Sequence, residues 1–144
     1  MMFGKFFENS NEPARDLRDF LESLIKSNHS FKGISENLTY KTIDFLKLNG
    51  AKKCKIKVYQ VPILKVFNVD LMNLNYNSET KFYEVYTKEE TFYINNDFSK
   101  NNMDSRTCLV NDNEIIIKID SSNFYVHFHI DLPCPLSDML NERR

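Results

Sequence analysis

The chain has 144 residues and a mass of 17.1 kDa, enough to close one hydrophobic core and short for two, so a single α+β domain over residues 1–144 is expected. A formal charge of -1 and a pI near 6.3 remove any global electrostatic case for nucleic acid and leave only a local patch to make one. No segment approaches the roughly 18 apolar residues that a membrane span requires, and the opening turns polar too early for a signal peptide; a soluble, cytoplasmic protein is the expectation.

The first element is a helix. Pro13 suits a first turn, and Leu17, Phe20, Leu21, Leu24 and Ile25 then recur at helical spacing, opposite Arg15, Asp16, Arg18, Asp19 and Glu22. The polar "KSNHS" ends it. Ser35 offers an N-cap to a second helix marked by Leu38, Thr42, Phe45 and Leu46, widened by Ile43 and Leu48 and closed by Gly50. Two helices are thus expected before any strand.

From Lys53 the period becomes alternating. In "KCKIKVYQVPILKVFNV" Cys54, Ile56 and Val58 share one face, and Lys53, Lys55, Lys57 and Tyr59 the other; Pro62 marks a bend or the start of a second strand. "DLMNLNYNSETK" has no clear period and reads as a loop or a short irregular strand. Residues 82–87 and 91–95 form the arms of a hairpin across Lys88, Glu89 and Glu90. A meander follows through "RTCLV", "EIIIKI" and "FYVHFHIDL", and "LSDMLNERR" can close the chain with a short helix that packs Leu136, Met139 and Leu140. Helices segregated from strands predict an α+β fold: two N-terminal helices on a five- or six-stranded, mainly antiparallel sheet, with one face covered.

The last strand carries the densest chemistry. Phe124, Val126, Phe128, Ile130 and Leu132 point one way, while Tyr125, His127, His129 and Asp131 point the other. Two same-face histidines lie about 6.6 Å apart at Cα, close enough to share an ion, but a catalytic metal usually takes a third ligand. Asp131 stands about 13 Å along the strand from His127. Glu114, on the preceding strand, is therefore the better candidate, because hairpin register puts Asp120 near Tyr125 and Glu114 near His129. "HFHID" resembles the two-histidine strand motifs of cupin-type metal proteins and the histidine-rich motif of metallo-β-lactamase-like hydrolases. It lacks their further histidines, His29 being the one other in the chain, so no family function, metal or cofactor is carried over.

Three cysteines, Cys54, Cys108 and Cys134, have no paired spacing and read as reduced thiols, the first two on apolar faces. The three glycines are isolated, which excludes a phosphate-cradling loop. The lysine row can receive an acidic protein surface or phosphates, or can simply protect an edge strand. Tyr59, Tyr83 or Tyr86 can add amphipathic contacts.

Without a catalytic constellation, the leading reading is a small protein-binding factor of the inhibitor, immunity, antidefence or chaperone-adaptor kind. Its expected binding residues are Lys53, Lys55, Lys57, Tyr59, Tyr125, His127 and His129. The partner is another protein, with nucleic acid and membrane disfavoured. A homodimer through "KFYEVY" or the first helix is a further possibility. The alternative is a metal-dependent or acid-base hydrolase centred on His127 and His129, with Glu114 or Asp131 as third group.

Overall fold

The computed structural model describes residues 15–26, 30–60, 62–95, 105–120 and 124–141. Pro13 and His29 lie outside them. The expected first helix is α1 (Arg15–Lys26), and its stripe is buried as its spacing requires, with Leu17, Phe20, Leu21 and Leu24 all enclosed. A three-residue strand, β1 (Ser30–Lys32), stands between the helices, which corrects the expectation that both precede any strand. β1 is anchored by Phe31, whose ring meets that of Phe20 edge to face at 5.1 Å.

The second helix, α2 (Glu36–Leu48), begins where the sequence places it, since the Ser35 hydroxyl accepts from the Leu38 amide at 3.1 Å. It ends in a Schellman arrangement. The amides of Gly50 and Ala51 donate to Lys47 and Leu46 carbonyls, and Gly50 takes φ +92, which a residue with a side chain rarely adopts. Thr39 and Thr42 are fully buried at no loss of hydrogen bonding, because their hydroxyls donate to the carbonyls of Ser35 and Leu38 one turn back. Leu48, expected on the apolar side, is 70% exposed. Two residues past Leu46, it is turned about 200° around the helix.

The strands that follow are β2 (Lys53–Gln60), β3 (Ile63–Asp70), β4 (Leu74–Asn77), β5 (Phe82–Tyr86), β6 (Thr91–Asn95), β7 (Ser105–Val110), β8 (Glu114–Asp120) and β9 (Phe124–Asp131). A short 3-10 turn at Leu71–Asn73 and β4 occupy the stretch without a sequence period, and both Leu71 and Leu74 are buried. Instead of one sheet of five or six strands, the described residues form nine strands in two sheets. The larger has the order β1-β7-β8-β9-β2-β3, and the smaller is β4-β5-β6. Every pairing is antiparallel. The chain closes with α3 (Leu136–Asn141), which packs Leu136, Met139 and Leu140 inward and is tied to α1 by the Arg18 guanidinium, a donor to the Leu140 carbonyl at 3.1 Å.

One face of the large sheet is the wall of the core. Ile56 from β2, Ile115, Ile117 and Ile119 from β8, and Val126, Phe128 and Ile130 from β9 have no exposed surface. The helices cover this face beside β1 and β7, while the small sheet packs against its β9, β2 and β3 side. The second contact is visible in the rings: Tyr83 meets Phe128 at 5.3 Å, and Phe92 stacks on Phe67 at 4.1 Å. Tyr40 of α2 stacks on Tyr76 of β4 at 4.3 Å and closes the seam between helix and small sheet. No helix among the described residues is long and apolar enough to cross a membrane.

Candidate interaction face

Among the described residues no element packs on the opposite face of the large sheet, and that face gathers all seven expected binding residues. Strand pairing puts Lys55 beside His129, Lys57 beside His127 and Tyr59 beside Tyr125, because β2 and β9, far apart in sequence, are neighbours in the sheet. β8 extends the same rows, with Ile116 beside His129, Lys118 beside His127 and Asp120 beside Tyr125. Tyr83, one of the three tyrosines expected to supply contacts, is instead buried under the sheet, since its place in β5 points it at Phe128.

The charges are ordered across the strands. One central row runs Lys32, Thr107, Lys118, His127, Lys57 and Val66, and the next contains His129 and Lys55. These two rows form a cationic belt of four lysines and two imidazoles. Acids flank it on either side: Asp120 stands in the tyrosine row, while at the other end Glu114 faces Asp131 and Lys53 faces Asp70. A concavity of about 740 Å³ opens at that end among Lys53, Lys55, Asp70, Glu114, His129 and Asp131. Lys118 and Lys32 were not expected in the set. Lys118 alternates with Glu114 and Asp120 and was readable as a face-mate, whereas Lys32 depends on a strand too short to have a period.

Tyr59, Tyr125 and His127 form a stacked run of rings, with centroids 5.2 Å and then 4.2 Å apart. His127 Nε2 lies 2.9 Å from Asp120 Oδ1, which fixes the ring's orientation. His129 Nδ1 is 4.0 Å from Glu114 Oε2, so Glu114 does stand at the distal histidine, as hairpin register requires. The imidazole rings themselves are 6.4 Å apart and tilted by 52°, each turned to its own carboxylate. Among the described residues no three His, Cys, Asp or Glu side chains are grouped so as to hold a metal ion. Cys54 borders the concavity but, like Cys108, is buried, and burial pushes both thiols up to about 12, helped at Cys54 by the charge of Asp131.

No protein-family model and no curated protein matches the chain. Among solved structures, one described as "Crystal structure of ChuX" is similar at 9% identity, over 78% of this chain and 82% of that one, with a TM-score of 0.46. A likeness that distant carries no argument about what the face does.

His129 stands among cations on this face. Burial first, then the positive neighbours Lys57, His127, Lys55 and Lys118, hold its imidazole below the ordinary value of 6.5, and its Nε2 is enclosed with no hydrogen-bond partner among the described residues. As pH falls from 6.5 to the lower folded value, the unfolded chain takes up this proton and the folded chain does not, so the His129 contribution to stability is present above 6.5 and lost through that window. Urea midpoints measured from pH 7.5 to 5 are expected to fall less steeply for His129→Gln than for the parent chain. Equal slopes would show that His129 titrates normally.

Proposed function

We propose that the chain is a small cytoplasmic protein-binding factor, of the inhibitor, immunity, antidefence or chaperone-adaptor kind, that docks an acidic protein surface on the open face of its large sheet. The observation that carries this reading is the convergence of Lys53, Lys55, Lys57, Tyr59, Tyr125, His127 and His129 on adjacent cross-strand rows. Three further properties support it. The belt offers cations at the spacing of neighbouring strands, suited to carboxylates displayed on a folded partner. The Tyr59–Tyr125 stack supplies rigid amphipathic area of the type enriched in interfaces. The acids bordering the belt penalise a partner rotated out of register and oppose a polyanionic backbone, which favours protein over nucleic acid.

The test starts with co-purification from the native cells and identification of a stoichiometric partner. The affinity of the purified pair is then measured by calorimetry at two salt concentrations for the parent chain and for a Lys55→Glu, Lys57→Glu variant with unchanged circular dichroism. Each reversed charge places like against like, and a loss of about 100-fold or more is expected, with the parent affinity itself falling as salt rises. Unaltered affinity in the folded variant would remove this face from the interaction.

The hydrolase alternative draws on one observation, the His127–Asp120 hydrogen bond, which is the type of contact that orients a general base. It requires turnover that disappears in His127→Ala while the fold is retained.

A further inference from the structure

The two surfaces from which a homodimer could be expected are both covered. The apolar stripe of α1 is buried, and in "KFYEVY" Tyr83 and Val85 are enclosed and Phe82 is half-buried, with Tyr86 alone exposed among its aromatic and aliphatic side chains. Among the described residues the exposed large apolar side chains include Leu48, Met72, Tyr86 and Tyr93, but three others fall together on β3. Ile63 is 58% exposed, Leu64 52% and Val66 47%, although they belong to a regular strand.

β3 is the last strand of the large sheet, and among the described residues it pairs only with β2. Its register with β2 is unbroken from Ile63 to Asp70, so no bulge distorts its outer edge. The two edges of this sheet are treated differently. β1, at the far edge, has three residues and offers little template, whereas β3 presents eight residues with their unpaired backbone groups facing outward. Folded proteins commonly blunt such an edge with charges, and β3 has Lys65 alone between Ile63 and Asn68.

We propose that β3 pairs antiparallel with β3 of a second copy of this chain, about a two-fold axis through Val66 and perpendicular to the sheet. The strand's own sequence selects this occupant and this register. A perpendicular two-fold keeps like faces together, so each residue pairs with one of the same face. Centred on Val66, the pairing sets Val66 against Val66, Leu64 against Asn68, Ile63 against Val69, and Lys65 against Phe67. All three exposed apolar residues then gain a cross-strand neighbour, Asp70 is left outside the ladder, and each ammonium meets an aromatic ring. Centred on Lys65, two like charges would face each other. Centred on Phe67, Leu64 would face Asp70 and Ile63 would be left over. The lysine belts of both copies would lie on one side of the joined sheet, but the inference does not depend on what the belt binds.

The decisive measurement is mass in solution by sedimentation over a concentration range reaching about 0.1 mM, where a micromolar contact is filled. It is paired with two variants. Val66→Cys, made in a Cys134→Ser background, is expected to give a 66-to-66 crosslink with a short bis-maleimide, and Val66→Lys is expected to weaken association by at least about tenfold through the like charges it sets opposite one another. Backbone amides of 63–69 should exchange more slowly as concentration rises. A monomer throughout the range overturns the proposal. So does a dimer that survives Val66→Lys and gives no crosslink, and so does a monomer that instead takes up an added strand peptide along β3.

Discussion

Phe128→Ala is expected to destabilise the fold by about 3–5 kcal/mol, the range seen when a large buried aromatic is truncated in a core that cannot collapse around the loss. Phe128 has no exposed surface and lies between Ile56 and Ile117 in the cross-strand rows of the core face. Its ring also meets Tyr83, the contact through which the small sheet leans on the large one. The deletion therefore removes apolar area and a ring pair at the seam, and rigid strands on both sides keep the void open. Against a total of about 5–15 kcal/mol for an ordinary domain, a large part of the stability is lost. Urea unfolding measures it, with His127→Ala as the reference. That residue is next in sequence but on the open face, and its truncation should cost about 1 kcal/mol or less. Equal losses at the two positions would mean that the faces of β9 are assigned the wrong way round.

Arg106→Ala carries the second large effect, about 3 kcal/mol or more. Arg106 is 5% exposed, on the core face of β7 where it pairs with Ile119, and its guanidinium lies 3.8 Å from the Glu36 carboxylate at the start of α2. Its backbone carbonyl also accepts from the amides of Gly33 and Ile34, so the strand, the turn into α2 and the ion pair meet at one residue. Truncation removes a long packed stem together with a desolvated charge and breaks the ion pair with Glu36. Arg106→Met separates the two contributions, since it restores most of the volume without the charge. If packing dominates, unfolding of the Met variant stays closer to the parent than that of the Ala variant. If the two variants lose the same amount, the polar contacts of the guanidinium account for the effect.

What the sequence discloses and what it withholds divide along physical lines. The stripe of α1, the cap at Ser35, the 82–86 and 91–95 hairpin and the alternation in β9 are local periodicities, set by residues that see each other within a few positions. β1 is too short to have a period, and the 3-10 turn with β4 buries Leu71 and Leu74 at a spacing that belongs to no regular element. The division into two sheets is a different matter. Tyr83 and Val85 point into the same core as Ile56 and Phe128, and apolar alternation reports that a strand has an inward face without reporting which sheet it joins. The candidate face was half visible for the same reason. Lysines at 53, 55 and 57 and histidines at 127 and 129 are each legible as one side of a strand, but their meeting depends on β2 pairing with β9 across most of the chain. Glu114 was found beside His129 because a hairpin joins β8 to β9 and fixes their register.

The central row of the belt takes single side chains from β1, β7, β8, β9, β2 and β3 in turn. Such an epitope has no linear equivalent, so no peptide excised from the chain would reproduce it. Anything that settles on it recognises the assembled ladder and not the unfolded chain, and must therefore raise the melting temperature of the protein as its concentration increases.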